Sequence, residues 1–153
     1  MAILSYQVDY NHLPIPEPVS RDTDLTLRSR GPLLPALLGR EASPLNPKAI
    51  KFFDGPFDSD SGNGLWQTGG EWILRDRWGE PYYIVLDANG DGKITNPEFT
   101  TDPSGAKEAE KRSNGPLPTT FTDAVIIYSS GPDRDPKTWN DNIGSWHPEL
   151  ERD

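Results

Sequence analysis

The sequence predicts an α+β fold, with short N-terminal helices packed on a small antiparallel sheet of about three strands and long loops between them. Three observations lead there. Apolar runs at helical spacing lie toward the N-terminus, while β-branched and aromatic runs lie beyond residue 71. The chain of 153 residues contains 16 prolines and 14 glycines, which demand long irregular connections. Only 33% of residues are hydrophobic, so the core must be small and helped by something else, and one domain spanning 1–153 is expected.

Taken in order, residues 1–10 read as the end of a helix, with Ile3, Leu4, Val8 and Tyr10 preceding Asn11 and the Pro14/Pro16/Pro18 run. Residues 11–71 read as a connecting region of short helices and loops. Within it, Leu33, Leu34, Leu37 and Leu38 stand at helical spacing between Gly31 and Gly39. Asn46 and Pro47 look like an N-cap and first helical residue, with Leu45 stapled to Ile50, which predicts a helix over Pro47 to Phe53. Asp54 to Gly70 reads as an exposed loop, in which Asp58 and Asp60 are better read as turn residues than as ligands. Residues 72–146 carry the predicted sheet: strands at Trp72–Leu74, Tyr82–Leu86 and Ala124–Tyr128, with a turn around Gly79. Ser104 to Arg112 reads as a solvated helical turn or two, and residues 147–153 as a tail.

The chemistry-bearing stretch is Asp87-Ala88-Asn89-Gly90-Asp91-Gly92-Lys93-Ile94-Thr95-Asn96-Pro97-Glu98. It has the oxygen-ligand spacing of an EF-hand calcium loop. Asp87, Asn89 and Asp91 fill positions 1, 3 and 5, glycine permits the turn at position 6, and Lys93 offers its carbonyl; Thr95 serves directly or through water, and Glu98 closes the shell at position 12. The competing reading is an ordinary Asp/Asn/Gly surface turn. Glu98 at the correct offset argues for metal. The flanks differ from a helix–loop–helix, because Tyr82–Leu86 reads as a strand and Pro97 argues against an exiting helix continuous with the loop. A calcium clip grafted on a β-hairpin is expected, structural in role because no helix pair is there to open.

A net charge of −9 with no run of basic residues argues against nucleic acid as a partner. It suits cations. The chain has no cysteine, which excludes disulfides and thiolate chemistry. A calcium site of ordinary affinity favours an extracytoplasmic location, where calcium is abundant. No apolar run approaches a membrane span.

Two blocks of sequence resemble the major pseudopilin of type II secretion systems, a type IV pilin-like family. The run Asp76-Arg77-Trp78-Gly79-Glu80-Pro81-Tyr82 resembles its D-P-W-G-x-P-Y signature, with Arg77 in place of proline. The stretches Tyr128-Ser129-Ser130-Gly131-Pro132-Asp133 and Asp141-Asn142-Ile143-Gly144-Ser145-Trp146 resemble its final strand, S-x-G-x-D-G loop and closing D-I-x-S/N-W, with Arg134 in place of a glycine. Tyr6 to Pro16 is similar to the exit from its first helix, with Asn11 where glycine is usual. The resemblance implies a pilin-like domain, a long hydrophobic first helix that is absent here, and a partnership with other pilin-like subunits in a filament. Membrane contact would run only through that absent helix. It also implies a calcium site in the C-terminal loop, with Asp133, Asp141 and Asn142 as matching donors and Asp135 as an extra candidate.

Other chemistry finds little purchase. His12 and His147 have no second nitrogen or sulfur ligand at zinc spacing, and no nucleophile elbow or phosphate loop is present. A hydrolase would need carboxylates placed across a cleft, which spacing does not reveal. Trp66, Trp72, Trp78, Trp139 and Trp146 could form a sugar-stacking platform, which makes a calcium-dependent extracellular carbohydrate-binding or dockerin-like module the alternative. The expected function is a non-catalytic structural subunit with calcium-stabilised loops.

Overall fold

The computed structural model describes residues 2–16, 21–55, 64–112 and 116–146. The architecture is mostly β with small helices. In chain order the elements are α1 (Ala2–Tyr10), β1 (Leu25–Arg28), α2 (Leu33–Leu38), β2 (Gly64–Thr68), β3 (Glu71–Arg75), β4 (Tyr83–Leu86), β5 (Ile94–Thr95), α3 (Pro97–Thr101), α4 (Pro103–Arg112), β6 (Thr120–Phe121), β7 (Val125–Ser129) and β8 (Ile143–Gly144).

This corrects the expected α+β layout of helices on a sheet of about three strands. The main sheet has four strands in the order β1-β4-β7-β8, and β2-β3 and β5-β6 form separate two-stranded sheets. All pairings are antiparallel. The strand expected over Trp72–Leu74 is present, yet it pairs with β2, inside the segment expected to be loop, and reaches the strand after it only through an isolated bridge from Arg75 to Pro81. The predicted strand over Tyr82–Leu86 instead lies between β1 and β7, with Ile84 opposite both Leu27 and Ile127. Asp58 and Asp60 lie outside the described residues.

Alternation along β4 and β7 sorts the core onto two faces of the main sheet. On one face, Ile84, Leu86 and Val125 pack with Ile3 and Tyr6 of α1, Leu13, Ile15, and Leu33 and Leu37 of α2. On the other, Val85, Ile126 and Tyr128 pack with Ile94, Phe121, Trp139 and Trp146. A third cluster joins Leu34 and Leu38 of α2 to Leu65, Trp72 and Leu74 of the β2-β3 hairpin.

Helix α1 stops where Asn11 takes a left-handed φ of 59° and donates its amide to the Gln7 carbonyl. Gly39 caps α2 with φ 60°, and a Cβ there would collide with the Ile50 carbonyl. The helix expected over Pro47 to Phe53 does not form. Ala49 turns to φ 51°, and the Asn46 side chain, instead of capping a helix, bonds Ala36 O, both backbone groups of Ile50 and the Tyr10 hydroxyl.

Candidate metal centre

The loop from Asp87 to Ile94 runs off the end of β4 and is wound around its own carboxylates. Asp87 accepts from the amides of Asp91 (3.2 Å) and Gly92 (2.9 Å), and Asp91 accepts from the amide of Lys93 (2.9 Å). Asn89 is drawn into the same turn, its Oδ1 facing the Asp91 amide at 3.4 Å. Gly90 and Gly92 have φ of 68° and 77°, which the turn requires and a side chain would resist. Ile94 then buries completely and pairs with Phe121, which pins the loop to β6.

The loop leaves into a helix, contrary to the expectation from Pro97. Asn96 is a buried N-cap that accepts from the Glu98 amide, and Pro97 sits in the first helical turn, where its missing N–H costs nothing. The arrangement is therefore strand, loop and short helix. It carries Glu98 away from the other expected ligands: that side chain is buried, and its Oε1 accepts from Trp146 Nε1 at 3.2 Å. Thr95 contributes its amide, not its hydroxyl, to the local network.

In place of Glu98 the structure brings Asp24. Among the described residues, Asp24, Asp87 and Asp91 form a cluster of carboxylates with ligand oxygens within 4.8 Å of one another. Asp24 Oδ2 accepts from the Thr95 amide at 3.1 Å, while its buried Oδ1 has no partner. Burial pushes the Asp24 carboxyl above its ordinary pKa, and the charges of Asp91 and Asp87 push the same way, against the Thr95 bond. Asp24 carries no local signal in the sequence, since it precedes β1 and meets the loop only because β1 pairs with β4.

The second loop, between β7 and β8, has a different character. Gly131 and Arg134 both take left-handed φ, 70° and 61°, and the Arg134 amide closes a turn onto Gly131 O. Asp133 lends its amide to Asp141 Oδ2 (3.3 Å), joining the two ends. Asp135 is exposed and spends Oδ1 on the Lys137 amide, as Asp133 spends Oδ1 on the Asp135 amide. Asn142 is 1% exposed and donates to the Pro136 carbonyl. Its Oδ1, with Asp141 Oδ1 and Ser130 Oγ, is buried and without a hydrogen-bond partner. Three orphaned oxygens in one loop are costly, since each unmade bond forfeits about 1–3 kcal/mol.

Both donor sets are oxygen only, as a hard cation such as calcium prefers, and both contain orphaned buried oxygens that a cation would satisfy. The carboxylates that converge are those of Asp24, Asp87 and Asp91, whereas the second loop offers more orphaned oxygens, those of Asp141, Asn142 and Ser130, the last of which ligand spacing did not indicate. Asp135 belongs to the turn. The two loops are linked by α3: Thr101 accepts from Trp139 Nε1 at 2.6 Å and Glu98 from Trp146 Nε1, and both indoles sit on the Tyr128 ring. Trp139 and Trp146 are thus packing groups, and Trp66 and Trp72 lie under the guanidinium groups of Arg75 and Arg40. Comparison with protein-family models, curated proteins and solved structures finds no match to this chain.

Proposed function

We propose that this chain is a non-catalytic structural subunit of the pseudopilin kind, working with other pilin-like subunits outside the cytoplasm and using calcium to fix its C-terminal loop. The observation that carries the reading is the backbone at two departures from the family signature. Asn11 and Arg134 stand where that signature has glycine, and both hold the left-handed φ that glycine adopts freely, 59° and 61°. The left-handed backbone at both positions is what the likeness expects, and it supports the reading. The D-x-W-G-x-P-Y turn supports it too, because Asp76 Oδ1 accepts from the amides of Trp78 and Glu80 around Gly79 at φ 87°.

Calcium would be held by Asp133, Asp141, Asn142 and Ser130, with Asp24, Asp87 and Asp91 as a second set. When bound it supplies positive charge to clustered oxygens and ties down backbone that three small apolar clusters leave unheld. Among the described residues no helix is long and apolar enough to cross a membrane. The test is the thermal midpoint in calcium, magnesium and chelator for wild type, Asp133→Ala/Asp141→Ala and Asp87→Ala/Asp91→Ala. A calcium-selective rise that the first double variant loses supports the reading; a midpoint indifferent to calcium in wild type removes the metal from it.

A further inference from the structure

An open apolar groove of about 500 Å³ lies on the main sheet, on the face that also carries α1. Leu74, Tyr82, Ile84 and Ile127 form its floor, and Arg75 and Arg77 its rim. Arg75 lies over the Trp66 ring at 4.5 Å, and its Nε and Nη2 are buried without a hydrogen-bond partner. Arg77 is exposed, and neither arginine joins the salt bridges among the described residues, which are Arg28–Glu80, Arg30–Glu71 and Lys51–Asp54. In a chain of net charge −9, two uncompensated guanidinium groups beside an apolar floor call for a carboxylate carried on an apolar ridge.

The chain presents such a ridge. Leu4 and Val8, 42% and 83% exposed, are the large hydrophobic side chains left exposed among the described residues, and they stand one turn apart on α1. Asp9 beside them is exposed and in no ion pair among the described residues. Ile3 and Tyr6 hold the opposite side of α1 against the sheet, so the ridge faces away from the groove of its own molecule.

We propose that the Leu4–Val8–Asp9 ridge of one copy docks in the Arg75/Arg77 groove of a second copy. The inference rests on the subunit reading above only in taking the partner to be another copy of this chain. Ridge and groove are different surfaces, so the contact is head-to-tail and repeats into a chain or ring instead of closing a two-fold dimer. The aliphatic pair would fill the floor, and the carboxylate would pair with the exposed Arg77 guanidinium at the rim.

A zero-length carbodiimide cross-link tests this on the Arg77→Lys variant, which keeps the rim charge and adds an amine that can be coupled to a carboxylate. Mixed isotope-labelled and unlabelled chains should yield a cross-link between copies that joins Asp9 to position 77. Adding Arg75→Glu should abolish it, and adding Asp9→Arg to wild type should abolish concentration-dependent association. A cross-link confined to one molecule, or to acids other than Asp9, overturns the proposal, as does none at concentrations where wild type associates or wild type remaining monomeric throughout. The calcium-dependent midpoint of Arg75→Glu, measured alongside, reports folding and separates failure of this contact from failure of the calcium reading.

Discussion

Ser129 Oγ donates a buried 2.6 Å hydrogen bond to Asp76 Oδ2, across 53 residues of sequence. Asp76 is 2% exposed and Ser129 4% exposed, and the Asp76 carboxylate accepts from the Trp78 and Glu80 amides as well. One carboxylate thus holds the turn before β4 and fastens it to the end of β7, where the C-terminal loop begins.

Ser129→Ala should destabilise the domain by about 2 kcal/mol in urea unfolding, the cost of removing a hydrogen bond to a buried charge. Asp76→Ala should cost more, because three donors lose their acceptor at once. Equal effects for the two variants would mean that the backbone bonds contribute nothing.

Asn46 is the second buried polar hub. It is completely buried, with Nδ2 donating to Ala36 O and Ile50 O at 2.7 Å and Oδ1 accepting from Ile50 N and the Tyr10 hydroxyl. Asn46→Ala should cost about 3 kcal/mol, and Tyr10→Phe only about 1 kcal/mol, by the same unfolding assay.

These hubs mark where sequence reasoning stops. Helices α1 and α2 and strands β4 and β7 are legible because their apolar spacing and their Asn11 and Gly39 stops are local signals. Strand β2 is hidden by its setting among Gly, Ser and Asp, although it forms a hairpin with β3 across Gly69 and Gly70, and β1 is hidden by its nearness to the proline cluster and forms through β4, a partner distant in sequence. The expected helix after Asn46 fails because the Asn46 side chain is taken by tertiary bonds, and α3 forms because Asn96 and Pro97 obey the same N-cap rule in a place where proline reads as a breaker. At the site, the spacing of Asp87, Asn89 and Asp91 is visible, whereas Asp24 replaces Glu98 only through sheet pairing.

Gly131→Ala should couple stability to the C-terminal loop. At φ 70° alanine is strained, and its Cβ would meet the Asp141 backbone carbonyl. The variant should lose about 2 kcal/mol and, by displacing Asp141, most of the calcium-induced rise in midpoint. Gly69→Ala, whose φ is 56° but whose Cβ meets nothing within 4 Å, should lose stability while keeping that rise.

Alkaline pH probes the other face of the sheet. Tyr128 is 4% exposed and stacks on Tyr83 at 4.8 Å; burial first, and then the neighbouring Tyr83, push its phenol up to about 12. The unfolded phenol titrates near pH 10, so the folded state binds the Tyr128 proton more tightly, and stability should fall as pH rises from about 10 to about 12. Phenolate absorbance should show a late-titrating tyrosine that Tyr128→Phe removes.

Calorimetric titration with calcium tests the central claim most directly, on wild type, Asp133→Asn/Asp141→Asn and Asp24→Asn/Asp87→Asn/Asp91→Asn. Wild type should show saturable, magnesium-resistant binding, with a dissociation constant on the order of 10⁻⁴ M or tighter. The Asp133/Asp141 variant should lose the tighter phase, and the Asp24/Asp87/Asp91 variant should keep it. Unchanged binding in the Asp133/Asp141 variant, or no calcium heat in wild type, would contradict a calcium-held C-terminal loop.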